Sequence, residues 1–243
     1  MSNYRDFVLA DNPVSYWRLN ERSGTTANDQ MGLNTGTFSG GFSLGLGSAL
    51  FDDFDYGVSF DGISGQLNVP HSGSLVFTTA CTIEAWVMLL ATPIEDGACI
   101  VAKENGPTWA LIVAGYAGLF HVKFQVGAAV TSQVSDWSRS IQLSTWAHMV
   151  GVYTGSLVRL YIDGVEQGVA AAFSDPLNNA GQPVIMGYST ISDTFQNMRL
   201  DEVAVYNYAL SQSRIMAHFL AGKAGSIGAD PDPTHFPSSR GRG

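Results

Sequence analysis

The carboxylate with the most chemical potential in this chain lies in its last patterned stretch, 198–220, MRLDEVAVYNYALSQSRIMAHFL. Read as a strand, 200–206 puts Asp201, Val203 and Val205 on one face. Leu200, Glu202, Ala204 and Tyr206 fall on the other. Two β-branched neighbours mark the first face as buried, and a buried carboxylate needs hydrogen-bond donors or a cation. Arg18 is a candidate donor. Asp201 and Glu202 are adjacent, so on a regular strand they point to opposite faces. They therefore do not form the carboxylate pair, about 5 Å apart, that retaining glycoside hydrolysis requires. Glu84 stands alone on its strand beside Trp86. His71, His121, His148, His218 and His235 have no motif context and read as surface or satisfied structural residues. No glycine-rich phosphate loop opens a helix. Hydrolase chemistry is not expected.

Two further clusters could bind rather than catalyse. Asp52-Asp53-Phe54-Asp55-Tyr56-Gly57 begins like an EF-hand loop, but twelve residues from Asp53 reaches Ser64, not a glutamate, so a solvated acidic turn is expected. Trp137, flanked by Asp136 and Arg139, is the one tryptophan in a polar, loop-like stretch. Glycan contact, a protein interface and loop packing all remain open for it. Trp109, Tyr116, Tyr188 and Phe195 are weaker candidates, while Trp17, Trp86 and Trp146 read as packing residues. Cys81 and Cys99 flank what looks like a hairpin around 91–97. That register separates them by about 20 Å, far beyond disulfide reach, so two buried thiols are expected.

The elements that position these residues are mostly short strands. An amphipathic turn or helix occupies 1–12, with Tyr4, Phe7 and Val8 in one stripe and Pro13 as its stop. Strand patterns follow at 14–19, 58–60, 66–69, 82–89, 99–103, 108–113, 119–126, 131–134, 145–153, 157–162, 165–169, 184–187 and 200–206. Asp163-Gly164 between alternating strands predicts a type I′ turn. After 206 comes a short helix with Ser211 as N-cap, an apolar stripe of Ile215, Met216, Phe219 and Leu220, and Gly222 as its stop. Many short strands with Gly-rich turns imply an antiparallel sandwich. Residues 221–243 have the Gly, Pro and Ser density of an extended tail that cannot form a core. This tail, with Phe236, Arg240 and Arg242, reads as an assembly arm that orders on a partner.

Charged residues make up only 14% of the chain and the net charge is −9. That balance argues against nucleic acid and against anionic lipid. No apolar run of spanning length occurs, and the first residues lack an apolar export core, so no membrane insertion and synthesis in a cytosol are expected.

Seven blocks in chain order carry a resemblance: 13–24 (Pro-Val-Ser-Tyr-Trp-Arg-Leu-Asn-Glu, then Ser23-Gly24), 29–32, 58–62, 82–87, 146–153, 160–164 and 200–211. Together they resemble the laminin-G-like, concanavalin A-type jelly roll. The resemblance implies an all-β, two-sheet antiparallel jelly-roll sandwich over 13–220, with an N-terminal arm (1–12), a short C-terminal helix and an extended tail (221–243). It implies one structural Ca²⁺ between an early loop and the final strand, held by Asp201 with Asp29 or Glu21. The Glu-x-Asp strand signatures of related β-glucanases are absent. The opening and the Gly-rich 36–62 stretch are most similar to modules of tailed-phage virion proteins. The expectation is therefore a non-enzymatic capsid-decoration or tail protein located in a virion. Its partners would be other virion proteins or copies of itself, and host polysaccharide. The alternative is an extracellular or cell-surface carbohydrate-binding module of a bacterial protein.

Overall fold

The structure, a computed structural model, describes residues 4–50, 55–93, 97–104, 107–116, 119–127, 132–134, 141–177 and 181–223. Antiparallel pairing gathers the described strands into two large sheets. The first runs, in spatial order, Val165–Glu166, Leu157–Ile162, Ala147–Tyr153, Cys81–Leu89, Asn197–Tyr206, Tyr56–Asp61 and Phe42–Gly47, with Ser15–Trp17 paired to the far half of Asn197–Tyr206. The second runs Ser132–Val134, Leu119–Gly127, Pro107–Tyr116, Ala98–Glu104, Val184–Met186, Gln66–Val69, Gly36–Ser39 and Thr26–Ala27. This is the expected two-sheet sandwich with a short C-terminal helix.

Alternation along the strands builds the core. Ile83, Ala85, Val87, Met149, Leu200, Val203 and Val205 of the first sheet meet Leu67, Val101, Leu111, Val113, Val122 and Phe124 of the second. The sheets are in close contact at Gly151, where an added Cβ would sit 2.2 Å from the Phe124 ring. Gly151→Ala is therefore expected to lower stability by about 1–3 kcal/mol through overpacking. A thermal melt in which the variant matched the parent would show that this spacing is not fixed.

Local chemistry explains the turns. Asp163 (φ 52°) and Gly164 (φ 76°) are both left-handed, as a type I′ turn demands. Asp61 caps its own turn by accepting the backbone N–H groups of Ile63, Ser64 and Gly65, which hold its carboxyl below the usual range. Two connections cross between the sheets, and the second overturns the hairpin expected around 91–97. Tyr56–Asp61 and Gln66–Val69 do not pair: the turn carries the chain from one sheet to the other. Cys81–Leu89 and Ala98–Glu104 likewise lie in different sheets rather than in one hairpin. Cys81 and Cys99 are buried and neither forms a disulfide.

A third layer covers the outer face of the first sheet. Helix α1 (Tyr4–Ala10) and helix α2 (Gln212–Lys223) pack on it, and Tyr4, Val8 and Ile215 join Tyr16, Trp86, Val150, Tyr161, Ala204 and Tyr206 in a second apolar cluster. Ser211 caps α2, its hydroxyl accepting the N–H of Arg214. Gly222 is not the stop. It lies inside α2, where an added Cβ would come within 2.4 Å of the Trp86 indole, so a glycine is needed for helix and sheet to touch.

Candidate functional site

The outer face of the first sheet buries an unusual amount of charge. Its origin is a bulge. Asp201 pairs with Trp86, but Ala204 already pairs with Glu84, so the strand holds one residue more than its partner there. Glu202 takes the left-handed conformation that absorbs it (φ 51°). Leu200 and Val203 both reach the sandwich core, so Asp201 lies on the outer face, opposite Val203 and Val205. The face assigned from alternation is corrected accordingly, and so is the separation of Asp201 from Glu202. The bulge brings both carboxylates, with Asp55, within 4.8 Å of one another.

All three are buried. Asp55 was expected in a solvated turn; instead it pairs with the Arg18 guanidinium, which also binds Glu202 at 3.1 Å. Tyr16 donates its hydroxyl to Glu202. Asp201 accepts from Ser48 Oγ at 2.7 Å and from the Ala49 N–H at 2.8 Å. Burial, then the charge of Asp55, pushes the Asp201 carboxyl up, and burial, then Asp201, does the same to Glu202. Asp55 Oδ1 and Asp201 Oδ1 are buried without a hydrogen-bond partner. Were all three carboxylates ionised, they would leave a net −2 against the one guanidinium, the charge that one divalent cation balances. An all-oxygen set with two unclaimed oxygens fits a hard ion such as Ca²⁺, which Asp55 and Asp201 would hold. Such an ion would neutralise the cluster.

Asp29 and Glu21 do not join this group among the described residues. Asp29 accepts the backbone N–H groups of Tyr16, Met31, Leu33 and Asn34 and so shapes the early loop. Glu21 accepts both the N–H and the side-chain amide of Asn28. Trp137, Asp136 and Arg139, and tail residues Phe236, Arg240 and Arg242, lie outside the described residues.

A second buried polar group was missed in the sequence. Glu84 accepts from Tyr206 Oη at 2.6 Å and lies 3.0 Å from His218 Nδ1. His218 Nε2 lies 3.0 Å from Asp11, which also binds Arg214 at 2.8 Å. His148 Nε2 is 3.4 Å from Glu84. With a carboxylate on each ring nitrogen, His218 is held as the imidazolium. Burial alone would favour the neutral ring, but Glu84 and Asp11 overcome it and raise its pKa. Burial would push Glu84 up, but the imidazoles, His218 foremost, hold it far below the usual range. The legible signal was Glu84 on the Trp86 face together with two histidines in otherwise apolar elements. Glu84, His148, His218 and Tyr206 are fully buried beneath the helices, while Asp11 and Arg214 carry the group out to the surface.

A groove lies on the other side, on the outer face of the second sheet. Cys99, Ala110 and Ile112 form an apolar floor. Lys123 pairs with Ile112 and Gln125 with Ala110, forming one wall. The small hairpin Tyr188–Ser189 with Thr194–Phe195 folds over the other edge and contributes Ser189, Ile191 and Ser192. The stacked rings of Tyr188 and Phe195, 4.4 Å apart, and bonds from Ser192 and Thr194 to the Gly97 carbonyl fix it. Thr108 Oγ1, on the groove lining, is buried with no partner. The groove holds about 140 Å³, small against the ~300–1,000 Å³ of drug-sized pockets. Trp109 is fully buried and does not present a face.

No curated protein matches the chain in sequence. Among solved structures, the binding domain of Paraclostridial mosquitocidal protein 1 is similar at a TM-score of 0.67 and 16% identity, covering 87% of this chain and 52% of that one. Domain 4 of the GH43 extracellular arabinanase AbnA from Geobacillus stearothermophilus, in complex with arabinotriose, is similar at 0.63 and 18%, covering 85% and 97%. A structure of botulinum neurotoxin type C, whose cell entry depends on two ganglioside molecules, is similar at 0.67 and 14%, covering 88% and 52%. The chain thus spans about half the length of the toxin structures and nearly all of the arabinanase domain. At these identities the likeness is one of fold. The family match runs over residues 61–216, from the Asp61 turn through both sheets into α2, and on it the chain belongs to the laminin G 3 family of the concanavalin A-like lectin/glucanases superfamily.

Proposed function

We propose that the chain is a non-catalytic glycan-binding and adhesion module that takes one sugar ring in the groove on its second sheet. The observation that carries this reading is the groove's make-up. Its apolar floor suits the C–H face of a pyranose, and its amide, ammonium and hydroxyl walls suit ring hydroxyls. No carboxylate stands among its described lining residues, which supports binding over hydrolysis. The buried carboxylates are a structural cluster in this reading, with one Ca²⁺ on Asp55 and Asp201.

One ring held in so small a groove gives weak affinity per site. Display of many copies raises avidity by ~10²–10⁴. That fits a capsid-decoration or tail component of a virion contacting host polysaccharide, the setting that the opening segment and the 36–62 stretch resemble. The arabinanase domain, similar in length and bound to arabinotriose, favours a second reading as a carbohydrate-binding module of an extracellular protein. Among the described residues no helix is long and apolar enough to cross a membrane.

The test is Ala110→Phe, which fills the groove floor from an outward-facing position. Binding to immobilised polysaccharide is expected to fall at least tenfold with the melting temperature held. Undiminished binding would place the ligand elsewhere. Detection of the chain in purified particles separates the virion setting from the extracellular one.

A further inference from the structure

We infer that this groove selects a sugar that carries an acetamido group. The inference rests on the glycan reading above and narrows its ligand class. Thr108, Ala110 and Ile112 alternate along one strand with Trp109 and Leu111, which reach the core, so the first three face out of the sandwich toward the groove. Cys99, paired with Ile112, completes a floor of short apolar side chains. This floor gives a pyranose no aromatic face to stack on, since Trp109, the one aromatic residue in the described lining, is fully buried. Ile191 stands on the opposite wall and is 64% exposed. Floor and wall make a small apolar slot that suits a methyl group.

The polar atoms beside the slot suit an amide. Thr108 is fully buried and its Oγ1 has no hydrogen-bond partner. A buried hydroxyl left unpaired calls for an explanation, and this one lies on the groove lining. The serine hydroxyls of the hairpin are turned to their own neighbours: Ser189 Oγ accepts the Ser192 N–H, and Ser192 Oγ donates to the Gly97 carbonyl. Gln125 pairs with Ala110 and is half-buried on the groove wall, where its carboxamide can both donate and accept. Alternate residues on a strand are about 7 Å apart and neighbouring strands about 5 Å. An acetamide lying over Ala110 therefore has Thr108 at one end, Ile112 at the other and Gln125 alongside. Thr108 donates to its carbonyl, Gln125 accepts its N–H, and its methyl rests on Ile112 and Cys99.

Discrimination follows from what a plain hydroxyl leaves undone. It cannot cover the apolar floor, and it leaves the Thr108 hydroxyl buried without a partner. A site built around a hydrogen-bonding group rejects the analogue that lacks it.

The experiment is calorimetric titration of the full chain with two matched pairs of probes. Chitotetraose and cellotetraose share one backbone and differ in acetamido for hydroxyl. Methyl N-acetylgalactosaminide and methyl galactoside form the second pair. In at least one pair the acetamido member is expected to bind about tenfold tighter, the combined effect of one buried methyl and one satisfied hydrogen bond. That ratio should fall toward one in Thr108→Val and be retained in Thr108→Ser. Thr108→Val should also melt no lower than the parent, because it replaces an unpaired buried hydroxyl by a methyl of the same shape. Equal affinity within both pairs, or a ratio unchanged in Thr108→Val, overturns the inference and leaves the glycan reading intact. Binding of no probe, even as an immobilised polymer, or binding that survives Ala110→Phe, overturns the glycan reading with it.

Discussion

Glu84→Ala is expected to lower the stability of the folded protein by about 3–5 kcal/mol, because it leaves buried positive charge without its counter-charge. For a chain of this size that is a fall of roughly 10 °C in melting temperature. Glu84 is the one group that touches α2 through His218, the Asn197–Tyr206 strand through Tyr206, and the Ala147–Tyr153 strand through His148. The helix layer should therefore loosen first, with faster exchange of the α2 amides than of the sandwich core. The same network sets a pH window. The pKa of Glu84 is lowered by folding, so its contribution is present above the ordinary carboxylate value near 4.3 and is lost as pH falls toward the folded value. The pKa of His218 is raised, so its contribution is complete below about 6.5 and is lost as pH rises through the folded value. Both are fully present between about pH 4.5 and 6.5. The stability difference between the parent and His218→Gln should peak there and shrink on the alkaline side. A difference independent of pH from 5 to 10 would show that folding does not shift the imidazole, and one that rises with pH up to about 6.5 would show a ring held neutral.

Removal of divalent cation is expected to lower the melting temperature by about 5–10 °C. That is the effect of losing an ion present at about 100 times its dissociation constant, ~2.7 kcal/mol. Asp201→Asn should abolish the response to chelator. It should melt no lower than the chelated parent, since it also removes one of three crowded buried carboxylates. The Gly151→Ala melt described above serves as a control for general loosening. A parent protein that melts identically in chelator and in Ca²⁺ would leave Asp201 as a neutral carboxyl held by Ser48 and Ala49.

The amino-acid sequence by itself determined the sandwich. Alternation at 83–87, 149–153 and 200–206, the Asp163-Gly164 turn and the Ser211 cap are local signals, and local sterics and period-2 burial are enough to read them. That Asp201 is buried and needs partners was also legible, because an ionised group among apolar strand residues has no other stable solution. Tertiary structure decided which face it occupies and with whom. The Glu202 bulge inverts the side-chain parity between Leu200 and Val203, and no propensity announces one inserted residue. Asp55 and Arg18 reach Glu202 from positions 147 and 184 residues earlier in the chain, so no spacing rule could join them. The Glu84–His218–Asp11 group is assembled from three distant segments in the same way. The groove exists only because the hairpin around 188–195 folds over a neighbouring strand whose outward residues are small and apolar. Period and turn chemistry act over a few residues and can be read along the chain. A site built by sheet order and one bulge depends on contacts made only after the sheets have closed.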